Sequence, residues 1–160
     1  FEEVVSQLTI IMCFQSLILD MAGNVGTQSL AVTIRVLMDE SLTGKQKLEL
    51  VFKEMRIGLC NGGVLGLMSF VLIGLYIWLF KGKTLIFAFA VSACIGSSLL
   101  LAMLISSAVG TCIPLFFKKI HIDPAVASGP LITTVNDLVA VISYYGLSWI
   151  FLIGALHLAG

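Results

Sequence analysis

The sequence predicts an all-α protein, a polytopic bundle of transmembrane helices, and three observations carry that expectation. Of the 160 residues, 59% are hydrophobic and only 11% are charged, against roughly 25% charged residues in an ordinary soluble domain. Mean hydropathy is +1.09. The apolar residues fall into four long runs separated by short charged connectors, and each run exceeds the ~20 residues that cross a ~30 Å hydrocarbon core as a helix. Within lipid every backbone group must find a partner inside its own segment, which helices provide.

The first run covers residues 4–38 and keeps Gln7, Thr9, Gln15, Asp20, Asn24, Thr27, Gln28 and Arg35 among its apolar residues. At ~1.5 Å per residue it would extend about 50 Å, so it tilts, breaks or projects from the bilayer. Gly23 and Gly26 are the expected place for a break, or else a patch where another helix packs closely. Residues 39–56 form a hydrophilic connector in which Glu49 and Lys53 have the i, i+4 spacing of a short surface helix.

The second run, residues 57–80, repeats glycine at positions 58, 62 and 66, the spacing of a tight helix-packing seam. After Lys81-Gly82-Lys83, the third run covers residues 84–117 with small-residue pairs Ser92/Gly96 and Ser106/Gly110, and Pro114 is expected to bend its end. Neither run holds an acidic or basic side chain, which makes both scaffold. The last run, residues 125–158, opens near Gly129-Pro130, a turn or helix start. Its Asp137 is the sole charged residue after Asp123. An acid at membrane depth is costly and marks a functional position. His121 and His157 read as interfacial residues.

Lysine and arginine set the orientation. The connectors after the first and third runs share one side and hold Lys45, Lys47, Lys53, Arg56, Lys118 and Lys119, against Lys81 and Lys83 opposite. Those two connectors are expected in the cytoplasm, with both ends of the chain outside. The chain opens on Phe1, and Asp20 and Asn24 follow its first apolar stretch in place of a small-residue cleavage site, which speaks against a signal peptide.

Nine basic and nine acidic residues give zero net charge, and without interleaved basic and aromatic residues no nucleic-acid partner is expected. The cysteines at 13, 60, 94 and 112 stand alone in apolar runs and read as small buried hydrophobes. There is no H-E-x-x-H, G-x-S-x-G or glycine-rich phosphate loop, so no enzyme is expected. On helices, Thr133 with Asp137 and Gly23 with Thr27 are i, i+4 neighbours. A carboxylate with hydroxyls, amides and backbone carbonyls is an all-oxygen set for a hard cation such as magnesium, calcium or manganese.

The stretch Gly23-Asn24-Val25-Gly26-Thr27-Gln28-Ser29 with Arg35, the run from Asp123-Pro124-Ala125 through Gly129-Pro130-Leu131-Ile132-Thr133-Thr134-Val135-Asn136-Asp137, and Tyr144-Tyr145-Gly146 together resemble the membrane domain of the MgtE family of magnesium channels. The resemblance covers nearly the whole chain. It implies a five-helix membrane domain, of which residues 1–160 hold helices two to five with the first absent, and no cytoplasmic magnesium-sensing domain in this chain. It further implies an integral multi-pass protein of the plasma or bacterial inner membrane, surrounded by lipid. A homodimer would carry its pore on the two-fold axis.

By the same resemblance the metal-site residues are Asp137, facing hydrated Mg2+ as the transported ion, with Thr133, Thr27 and a backbone oxygen at Gly23. Thr27 departs from the asparagine common in bacterial members. The expected function is magnesium-selective passage of Mg2+ down the electrochemical gradient, with other divalent cations as further candidate ions. A proton- or sodium-coupled divalent cation exporter and a non-transporting membrane assembly subunit are the alternatives.

Overall fold

The computed structural model describes residues 9–39, 42–126 and 129–158, the side chains of Asp39 and 152–158 excepted. Four long helices, α1 (Gln15–Asp39), α2 (Gly44–Lys81), α3 (Leu85–Lys119) and α4 (Gly129–Leu158), are joined by short connectors, with a 3-10 turn at Pro124–Val126 before α4. All four are long and apolar enough to cross a membrane, and no strand occurs among the described residues. The protein is an integral, multi-pass, all-α membrane protein.

Local chemistry fixes most of the helix ends. Thr43 and Gln46 form a reciprocal capping box at the start of α2, with the Thr43 N–H donating to Gln46 Oε1 at 2.8 Å. Gly82 ends α2 at φ 61°, a left-handed position that glycine takes without strain. Thr84 caps α3, and Pro130 occupies the first turn of α4, where its missing N–H has no helical partner to lose.

Three expectations change. The hydrophilic stretch before Arg56 is no separate surface helix but the opening turns of α2, whose 38 residues would extend about 57 Å; nothing between the Thr43 cap and Gly82 stops it. The exposed ion pair there joins Lys45 to Glu49 at 3.9 Å, and the expected Glu49–Lys53 pair is not formed among the described residues. Secondly, α1 runs unbroken through Gly23 and Gly26. The interruption falls at Phe14, between a helical turn at residues 9–13 and α1, where the Ile11 carbonyl accepts from both the Phe14 N–H and the Tyr144 hydroxyl. A side chain inserted into the backbone ladder is an ordinary cause of a kink. Thirdly, of the four cysteines only Cys94 is buried; Cys13, Cys60 and Cys112 are exposed on the single chain, which suits an apolar thiol in lipid or against another copy. The start of the first run, residues 4–8 with Gln7, lies outside the described residues, and so does the side chain of His157. His121 is exposed.

Helix α3 is the centre of the bundle. It packs against each of the other three, and α1 also packs on α4. The core joins Ile18 and Ala22 of α1, Ile73 and Ile77 of α2, Ala88, Val91, Ile95 and Leu99 of α3, and Ala140 and Tyr144 of α4. Lipid gives no hydrophobic drive for helix pairing, so close packing of small residues must hold the bundle. The glycine seam of α2 does this: a Cβ at Gly62 would lie 2.8 Å from Leu100 Cα, and one at Gly66 would lie 2.7 Å from the Gly96 carbonyl oxygen. Gly58 meets Ser107 and Met103 in the same way. Helix α3 continues past the buried Pro114 to Lys119. The outer face of α2 leaves Val64, Leu67, Leu72 and Leu79 exposed.

Candidate ion-binding site

The two polar stretches lie on α1 and α4, the least apolar of the four spans, and these helices pack against one another, most tightly constrained where Gly26 meets α4. Gly26 of α1 packs against the Asn136 side chain of α4, and a Cβ on Gly26 would overlap the Asn136 carboxamide. On its other side Gly26 presents its carbonyl to Gly110 of α3, again without room for a side chain. The glycine read from the sequence as a possible break is a three-helix contact.

Asn136 is fully buried, and neither amide atom has a hydrogen-bond partner among the described residues. An unpaired buried polar group costs about 1–3 kcal/mol. Its chain neighbour Asp137 is half-buried. Asp137 makes no hydrogen bond or ion pair with any described residue, and Thr133, one turn away and exposed, makes none either. Thr134 is satisfied within its helix, donating to the Pro130 carbonyl at 2.8 Å.

Across the crossing, Thr27 donates to the Gly23 carbonyl at 2.5 Å and lies 3.1 Å from the Asn24 carbonyl. Its hydrogen is therefore committed inward, while its lone pairs stay free to accept. Gly23 is open, with nothing within 4 Å of where a Cβ would stand. Gly23 and Thr27 on α1 and Thr133 and Asp137 on α4 each lie within about one turn, along their own helix, of the Gly26–Asn136 contact, and no direct hydrogen bond joins the two pairs among the described residues.

A further feature was only partly legible in the sequence. Asp20, Asn24, Gln28 and Arg35 are all exposed on the single chain and, at multiples of roughly 3.6 residues, share one stripe of α1. A polar stripe on a membrane-spanning helix cannot face hydrocarbon cheaply, since a charged side chain at the helix centre costs at least ~2.5 kcal/mol. It faces water or another protein surface. No group of three or more His, Cys, Asp or Glu side chains gathers among the described residues.

The family model described as a divalent cation transporter, MgtE, matches residues 15–147. The chain belongs to the MgtE family. Three curated relatives, each named magnesium transporter MgtE, match it over 152 residues, 95% of this chain and 32% of the relative: 38% identical in Bacillus subtilis, 37% in Enterococcus faecalis and 30% in Thermus thermophilus. The chain therefore spans about a third of the length of these relatives. The matched MgtE region takes in the whole of α1 to α3 and α4 as far as Leu147, and with it both polar stretches.

One ionisable residue escaped the sequence reading. Glu54 of α2 is 1% exposed and its Oε2 has no hydrogen-bond partner among the described residues. It lies one turn before Gly58 and so continues the face that packs on α3. That periodicity, carried back from Gly66 through Gly62 and Gly58, was the signal that could have found it.

Proposed function

We propose that this chain conducts magnesium across the membrane through a pore on the two-fold axis of a homodimer, with Asp137 of both copies as the central cation-binding acids. One observation carries the reading: Asp137 has no partner among the described residues, and it lies beside a helix whose exposed stripe of Asp20, Asn24, Gln28 and Arg35 is unfit for lipid. Two such faces turned toward one another across an axis enclose a polar path, while each chain keeps its apolar surfaces for lipid. Two carboxylates also match the charge of a divalent ion, which one does not.

The chemistry favours an ion that keeps its water. Magnesium dehydrates reluctantly, and a hydrated cation turns only hydrogens outward, so the lining must accept. Asp137 accepts, Thr133 is free to, and Thr27 has given its own hydrogen to Gly23. Gly23 adds room: its carbonyl already serves Thr27, and the space a side chain would fill is empty. Metal and carboxylate oxygen would then be about 4 Å apart, one water between them, in place of the ~2.1 Å of direct coordination. The relatives' name, magnesium transporter, supports the choice of ion.

Magnesium flux from liposomes holding the intact protein tests the reading, driven by a magnesium gradient with no proton or sodium gradient present. Flux under those conditions, lost in Asp137→Asn, is the expected result. Flux that requires a second gradient would make the protein a coupled exporter, and unchanged flux in Asp137→Asn would remove Asp137 from the site.

A further inference from the structure

Asn136 packs its carboxamide directly against Gly26 of α1, and the conducting role proposed above gives that contact a consequence. Helices α1 and α4 carry the two halves of the proposed site, so the gap between Thr27 and Asp137 depends on how closely the helices approach. They approach at Gly26 and Asn136, where the carboxamide lies against bare backbone and leaves no space for a methyl group. Gly26 cannot retreat, because its carbonyl is in turn packed against Gly110 of α3. The contact is also adjacent in sequence to Asp137. A change of one methyl-sized volume here shifts the carboxylate relative to the opposite face.

We infer that Asn136 is a positioning residue that sets ion selectivity by acting as the spacer between the two pore-lining helices. The inference rests on the proposed conducting role of Asp137. Neither amide atom of Asn136 is hydrogen-bonded among the described residues, so the contact works through size and shape: a side chain branched at Cγ against a surface that does not yield. Hydrated cations differ in size and in how readily they shed water, so a gap held to within a fraction of an ångström distinguishes magnesium from calcium. Close packing is what makes such a gap reproducible.

The test is a size exchange, read as the ratio of magnesium to calcium flux in liposomes at matched amounts of folded intact protein. Asn136→Ala widens the spacer and is expected to lower that ratio at least fivefold. Asn136→Leu, nearly the same shape without the amide, is expected to hold it within twofold. Gly26→Ala alone collides with the carboxamide and should lower the ratio or the flux. Combined with Asn136→Ala, it returns a methyl to the gap from the opposite helix and should recover most of the loss.

A ratio unchanged in Asn136→Ala, or equal losses in the alanine and leucine variants, would overturn the spacer role. If Asn136→Ala fails to insert, the leucine variant and the double substitution still decide. Asp137→Asn in the same assay keeps the two readings apart. If that variant conducts like the parent, the site assignment fails; if it is inactive while the Asn136 series leaves selectivity untouched, only the spacer fails.

Discussion

Lys118 on α3 donates from its ammonium to the main-chain carbonyl of Leu37 on α1 at 2.8 Å. Leu37 lies in the last turn of α1, where carbonyls have no intrahelical donor, and a cation there also meets the negative end of the helix dipole. The bond ties two parallel helices at the end that the lysine asymmetry assigns to the cytoplasm. Lys118→Met keeps the stem and removes the donor, and it should cost about 1 kcal/mol of stability in detergent. Thermal unfolding of the purified protein checks this, and an unchanged midpoint would mean that the lysine is solvated and the bond idle.

The glycine seam gives a paired prediction. At Gly66 an added methyl would lie 2.7 Å from the Gly96 carbonyl oxygen, and backbone cannot yield as a flexible side chain does. Gly66→Ala should therefore lower stability by about 1–3 kcal/mol, as overpacking generally does. Gly63, three residues earlier, has nothing within 4 Å of its would-be Cβ. There alanine should be neutral or stabilising by up to ~1 kcal/mol, through helix propensity alone. Equal effects of the two substitutions in a denaturation series would show that α2 does not pack on α3 through this face.

What the sequence disclosed and what it hid divide along the range of the interaction. The seam at positions 58, 62 and 66 and the lone acid at 137 were legible because a four-residue period and an isolated charge are local signals. The interruption at Phe14 was not, because the Tyr144 hydroxyl that bonds the Ile11 carbonyl beside it lies more than a hundred residues away. Gly26 was read correctly as exceptional, yet whether it broke the helix or packed against another depended on Asn136 and Gly110, on two other elements. The burial of Glu54 was masked by its neighbours, since Lys53 and Arg56 on either side are exposed and gave the whole stretch the look of a solvated connector.

Glu54 carries its own prediction. A carboxyl 1% exposed whose Oε2 has no partner among the described residues costs desolvation that an apolar side chain of similar length does not. Glu54→Met should raise stability by about 1 kcal/mol or more. A clear fall in the unfolding midpoint would show that the carboxylate has a partner elsewhere in the assembled protein, and would direct attention to the surface that covers this end of α2.

The contribution of Thr27 can be separated from that of Asp137 by what each substitution removes. Asp137→Asn keeps the shape and takes away the charge that draws a divalent ion into the site, so magnesium flux should fall by at least tenfold, equivalent to about 1.4 kcal/mol of lost binding or barrier stabilisation. Thr27→Val keeps the branched shape and takes away an acceptor. It also frees the Gly23 carbonyl from the hydroxyl it now serves, and that oxygen can turn toward the ion's water in compensation. The loss in Thr27→Val should accordingly be smaller, about two- to fivefold, on the scale of one neutral hydrogen bond. Thr27→Asn restores an acceptor at the same place on α1 and should conduct better than the valine variant. The order expected in liposome flux is therefore parent, Thr27→Asn, Thr27→Val, Asp137→Asn. If valine proved as damaging as the loss of the charge, the ion would have to meet Thr27 directly, shorn of the water that intervenes in the arrangement proposed here.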